Sequence, residues 1–111
     1  MTKQDYKNLL IETSKNGGFP AMDKMSGQCL YRTNDGRGCA IGVILPDSLY
    51  EKRFEGKEFH EIYSEISDIR WIPDGMDDVD LRSVQRVHDN LSACWNHEAF
   101  VQELDKLECL K

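Results

Sequence analysis

Cys39-Ala40-Ile41-Gly42-Val43-Ile44-Leu45 carries no charged or strongly polar side chain, and its conformation decides how the remaining segments pack. A run this short reads as a buried strand or as a buried helical segment, because periodicity does not separate the two over so few residues. Its β-branched residues, Ile41, Val43 and Ile44, favour a strand. Ala40 and the stop at Pro46 suit a helical turn. The residues before it bear on the choice. Thr33-Asn34-Asp35-Gly36-Arg37-Gly38 contains Asp-Gly, a pair favoured in hairpin turns because both central positions need positive φ. Cys29-Leu30-Tyr31-Arg32 comes before that turn, and Tyr31 is a good strand residue. The expectation is a small hairpin whose second arm becomes a helical turn before Pro46.

Outward from this centre the pattern is helical. Thr2 to Lys15 reads as a helix, with Thr2 as cap, Asp5 at the positive end, and Tyr6, Leu9, Leu10 and Thr13 on one stripe. Asn16-Gly17-Gly18 stops it, and Pro20 opens a short helical turn through Ala21, Met22 and Met25. On the other side, Asp47 caps a short helix from Ser48 to Phe54. Phe59, Ile62, Tyr63, Ile66 and Ile69 place a helix at about Glu58 to Asp68. Pro73-Asp74-Gly75 is a turn. Leu81, Val84, Val87, His88, Leu91 and Trp95 mark the next helix, with Asp80 as its cap. Asn96 caps the last, which buries Phe100, Val101, Leu104 and Leu107. The fold class is α+β, predominantly α: four main helices and one or two short ones around a small β-hairpin or buried apolar segment. Residues 1–111 suffice for one globular domain with its own core.

Twenty acidic and 14 basic side chains give a formal net charge of −6. That balance argues against general binding to a nucleic-acid backbone, which needs a basic face. No apolar run approaches the ~20 residues that cross a bilayer, and Met1 to Asn8 is mostly polar and runs into Leu9, Leu10 and Ile11, too short for a signal-peptide core. The four cysteines, Cys29, Cys39, Cys94 and Cys109, are therefore expected as reduced thiols in a cytoplasmic protein.

Several constellations invite chemistry. Cys94 and His97, with Cys29 and Cys39, supply the donor types of a tetrahedral zinc site. The spacing of Cys29 and Cys39 is too wide for a zinc knuckle, and Cys94 falls near an apolar helix stripe, so buried thiols are the plainer reading. No local signature pairs His60, His88 or His97 with a cysteine as nucleophile and base. Asp74, Asp77, Asp78 and Asp80 lack the alternation of a calcium loop. Gly36-Arg37-Gly38 matches no phosphate-loop fingerprint, yet its amides suit an anion if a helix begins near Cys39. A small ligand or nucleotide held by the 31–39 loop would meet Tyr31, Arg32, Arg37, Tyr50 and His88. No catalytic residue and no cofactor is expected.

Cys29, Tyr31 and Arg32, then Cys39-Ala40-Ile41-Gly42, Pro46-Asp47, Tyr50 and Glu55-Gly56, and later Gln85, His88 and Asp89, form a recognisable pattern. It resembles that of a family of small uncharacterised bacteriophage and prophage proteins, over roughly Gln28 to Asp89. The resemblance carries no catalytic residues. It implies a short acidic accessory protein that binds a host protein, for instance as inhibitor of a host defence system. The same residues also have a packing role to play: Tyr31 and Tyr50 against the apolar run, and Arg32 paired with Glu55 or Asp89. The expected function is thus non-enzymatic protein binding. A small-ligand or nucleotide-binding domain and a structural zinc protein are the alternatives.

Overall fold

The computed structural model describes residues 1–23 and 25–111. Four α-helices appear in order: α1 (Lys3–Lys15), α2 (Phe59–Glu65), α3 (Asp78–Leu91) and α4 (His97–Asp105). Short 3-10 turns lie at Lys52–Phe54 and Glu108–Leu110. α1 packs on α4, α4 on α3 and α3 on α2. Their buried faces (Tyr6 and Leu10; Ile62; Leu81 and Val84; Phe100 and Leu104) enclose Cys39, Ala40 and Ile41, none of which is exposed.

Local chemistry explains where the helices begin. Thr2 caps α1 in a reciprocal box: its hydroxyl accepts from the Asp5 amide while the Asp5 carboxylate accepts from the Thr2 amide. α3 begins with the same device one turn earlier than expected. Asp77, not Asp80, is the cap, and Asp80 closes the box from the third helical position. Asn96 caps α4 as expected, through the Ala99 amide. Trp95 lies in the link before α4, not on the α3 stripe. α2 is shorter than its apolar spacing suggests. Ile66 is already extended, and Ile69 is 54% exposed.

The expected hairpin is replaced by something smaller. Among the described residues there is no strand, only two isolated antiparallel bridges, Met22 with Cys29 and Arg32 with Gly38. The Thr33–Arg37 turn does close, through Thr33 N–H to Arg37 O at 2.8 Å, with Gly36 at φ +88. Pairing then stops because the chain coils immediately. Cys39 N–H donates to Tyr31 O at 3.1 Å, and Val43 N–H already donates back to Cys39 O at 3.0 Å. The apolar run is a helical turn, continued by Leu45 N–H to Ile41 O. Gly42 lets this turn sit against the Tyr31 carbonyl, since a Cβ there would lie 1.8 Å from that oxygen. Packing at that distance outweighs the β preference of Ile41, Val43 and Ile44.

Two short helices of the sequence reading also change form. Ala21 and Met22 belong to a loop folded back on Cys29 and Leu30, the Leu30 amide donating to Ala21 O at 2.8 Å. From Ser48 to Phe54 there is one turn closed on Pro46 O, then the 3-10 turn at Lys52–Phe54. Asp47 caps nothing there because Arg32 engages its carboxylate. No helix is long and apolar enough to cross a membrane among the described residues.

Candidate functional site

Glu55 is the hub of the central loop. One carboxylate oxygen accepts from the Tyr31 amide at 2.8 Å; the other accepts from the Arg32 amide at 3.0 Å and the Tyr50 hydroxyl at 2.6 Å. The Tyr31 hydroxyl donates to Lys57 O at 2.7 Å. Burial, with the Glu55 hydrogen bond, pushes the Tyr50 hydroxyl up to about 12. The Arg32 guanidinium goes to neither Glu55 nor Asp89. It bonds Asp47 and the Leu45 carbonyl and lies over the Tyr50 ring, 4.9 Å from its centre. Arg37 is held by Asp35 at 3.1 Å and by Pro20 O at 2.6 Å. A shallow cavity of about 400 Å³ lies between Arg32, Arg37, Gly38 and Asp47. Both arginines meet it with a carboxylate already bound, so little charge is left for an anion.

The five expected ligand residues do not meet. Arg32 and Arg37 border that cavity, Tyr31 borders a different cleft, Tyr50 packs under Arg32, and His88 is fully buried. The second cleft, of about 430 Å³, lies between the Gln28–Tyr31 segment, Gly56–Phe59 and the polar face of α3. Cys29 and Cys39 reach it from one side, and Arg82, Gln85, Arg86, Asp89 and Asn90 from the other.

His88 stands behind this cleft with both ring nitrogens engaged. Nε2 faces the Ala21 amide at 3.1 Å, and Nδ1 lies 3.0 Å from Asp89 Oδ1. An amide can only donate, so Nε2 carries the lone pair and Nδ1 carries the proton, which goes to Asp89. Gln85 completes the chain: Nε2 donates to Asp89 Oδ1 at 2.9 Å, and Oε1 accepts from the Ile41 amide at 3.2 Å. Phe19 and Trp95 pack on the ring, with centroids 5.2 and 5.5 Å away.

Among the described residues, Cys29, His88 and Asp89 form the one group of three metal-type donors, with ligand atoms within 4.8 Å of one another. Cys39, Cys94 and His97 are outside it. Cys94 is exposed, Cys39 is buried against the Gly42 amide, and His97 Nδ1 bonds the Ser14 hydroxyl at 2.8 Å. A metal on His88 Nδ1 requires a proton on Nε2, where the Ala21 N–H already points, so the group fits a cation only if Ala21 moves.

Nucleophilic chemistry is no better served. Burial, reinforced by the Asp89 charge, raises the Cys29 thiol above its usual range, and burial holds Cys39 at about 12. A thiolate needs the opposite surroundings, and the one nearby imidazole has no free lone pair.

One feature of the cleft escaped the sequence reading. Four of the six arginines are tied to carboxylates: Arg32 to Asp47, Arg37 to Asp35, Arg53 to Glu65 and Arg70 to Asp68. Arg82 and Arg86 make no ion pair or hydrogen bond among the described residues, and both line the cleft. Their spacing with Gln85 and Asp89 signals one helix face, which reads from sequence as ordinary solvated surface. No protein-family model, curated protein or solved structure matches the chain, so what the cleft does is read from its own geometry.

Proposed function

We propose that the protein is a non-enzymatic binding module of the phage accessory type, acting by holding a host protein. One observation carries this reading: the groups that would do chemistry are already bound within the fold. His88 holds Ala21 and Asp89, Cys39 accepts from Gly42, and Glu55 holds Tyr31, Arg32 and Tyr50. The pattern residues that lie in these bonds are accounted for by packing and loop anchoring, which leaves the exterior for recognition. An acidic exterior favours a partner surface of positive charge.

The test is affinity capture from bacterial lysate with a tag after Lys111, followed by reconstitution with the purified partner. A one-to-one complex that survives gel filtration is the expected result. Repeated recovery of no specific protein, or failure of the purified pair to associate, overturns the reading. Inhibition of a host defence system is its finer form. Cells that carry such a system and express the chain should then be infected more efficiently than cells without the chain, and equal infection across a panel of systems removes that form.

A further inference from the structure

We infer that the cleft beside α3 is a binding site for a small organic phosphate, with Arg82 and Arg86 as its anion anchor. Of the six arginines in an acidic chain, these are the two that make no ion pair with a carboxylate among the described residues, and both open onto one cavity. Burial of Leu81, Val84 and His88 fixes the rotation of α3, so its arginine face is held toward the cleft. Residues four apart on a helix have Cβ atoms about 5–6 Å apart, close enough for two guanidinium groups to share one anion.

Charge selects among anions. A phosphate monoester at pH 7, above its second ionisation, carries ~1.5–2 negative charges and three acceptor oxygens, matching two planar donor forks. A carboxylate offers two acceptor oxygens, fewer than two such forks engage. Size selects the rest. A volume of about 430 Å³ lies in the range of small-molecule sites, with room beyond a bare phosphate. Glu58 and Asp89 border the same space and offer acceptors to hydroxyl groups on the organic part. Tyr31 and Cys39 border the cleft, but its anion anchor lies on α3 rather than on the 31–39 loop, and the site needs no host protein to form.

Calorimetric titration at low ionic strength tests this, with ribose 5-phosphate, inorganic phosphate and unphosphorylated ribose as probes. Ribose 5-phosphate should bind, inorganic phosphate more weakly, and ribose not at all. Arg82→Gln/Arg86→Gln should weaken the ester at least about tenfold, while Arg70→Gln leaves it unchanged. Both arginines are exposed, so the double variant should keep the wild-type Tm without ligand; each single variant should weaken binding as well. No binding of the ester at about 10 mM overturns the proposal. So does equal binding by the double variant, or binding of ribose as tight as that of its phosphate. Inorganic phosphate binding as tightly as the ester would identify the free anion as ligand and overturn the organic part.

Discussion

Replacing Gly42 with alanine should remove a large part of the protein's stability. An alanine Cβ would sit 1.8 Å from the Tyr31 carbonyl oxygen, 2.8 Å from its carbon and 3.2 Å from the Cys39 nitrogen. To reach even 3.0 Å, the shortest separation real Cβ atoms show, the carbonyl must retreat by at least about 1.2 Å. The Cys39 N–H bond to that oxygen, now 3.1 Å, does not survive such a move. Nor can Tyr31 move freely, because Glu55 holds its amide and that of Arg32 at 2.8 and 3.0 Å, and Lys57 O holds its hydroxyl. Losing one partly buried hydrogen bond costs about 1–3 kcal/mol, and overpacking a rigid site about 1–3 more. The expected loss is therefore ~2–6 kcal/mol out of a typical 5–15. Urea unfolding, followed by fluorescence of Trp71 and Trp95, should show the midpoint falling by about 1–3 M for a slope near 2 kcal/mol/M. Gly36→Ala is the control. Its Cβ meets nothing within 4 Å, but φ is +88, so only the left-handed penalty of about 1–2 kcal/mol applies. If Gly42→Ala lowers the midpoint by less than Gly36→Ala does at equal slope, the close approach is not what shapes the central turn.

Four further outcomes are expected. A thiol reagent on the folded protein should modify exposed Cys94 first, half-buried Cys29 and Cys109 more slowly, and Cys39 only on unfolding, as peptide mapping of a time course will show; early labelling of Cys39 would contradict its burial. Glu55→Gln should lower stability by about 1–3 kcal/mol and Glu55→Ala by more, because two backbone amides lose a charged acceptor, and equal midpoints in urea would dismiss the hub. Thr33 and Arg37 hold the Asp35 carboxyl at about 2, and Arg70 holds that of Asp68 at about 2, so both carboxylates favour the fold above the unfolded value near 3.9 and lose that effect as pH falls toward 2. Asp35→Asn should flatten the Tm profile in that window, and an unchanged slope would count against the Thr33 and Arg37 contacts. One equivalent of zinc should leave Tm unchanged; a rise of several degrees would mean that Ala21 yields and that His88 is assigned the wrong tautomer.

The parts of the fold legible in the sequence are those governed by neighbours. Thr2 with Asp5, and Asn96 before α4, announce helix starts because cap and first turn are adjacent in the chain. Adjacent carboxylates blur the start of α3, where Asp77 and Asp80 both suit a cap and only reciprocal bonding decides. Ile66 and Ile69 continue a helical period that α2 abandons, because where the helix ends depends on its tertiary packing. Cys39–Leu45 is locally ambiguous, and its answer comes from the Tyr31 carbonyl and the fit of Gly42, a contact across eleven residues. The same holds for the site. His88 and Asp89 are neighbours on a helix, where adjacent side chains do not ordinarily face each other, yet the ring nitrogen reaches the carboxylate at 3.0 Å. Glu55 as anchor, and Arg82 and Arg86 as unpaired cations, depend on partners present or missing far along the chain.

The central turn is tied at both ends to remote helices. The Ala40 carbonyl accepts from the Tyr6 hydroxyl at 2.5 Å, and the Ile41 amide donates to Gln85. A growing chain that has released Ile41 but not yet Gln85 holds its most apolar turn with one of these ties absent. The central turn therefore gains its full set of ties only after α3 has emerged, which couples the packing of the middle of the chain to the synthesis of a later helix.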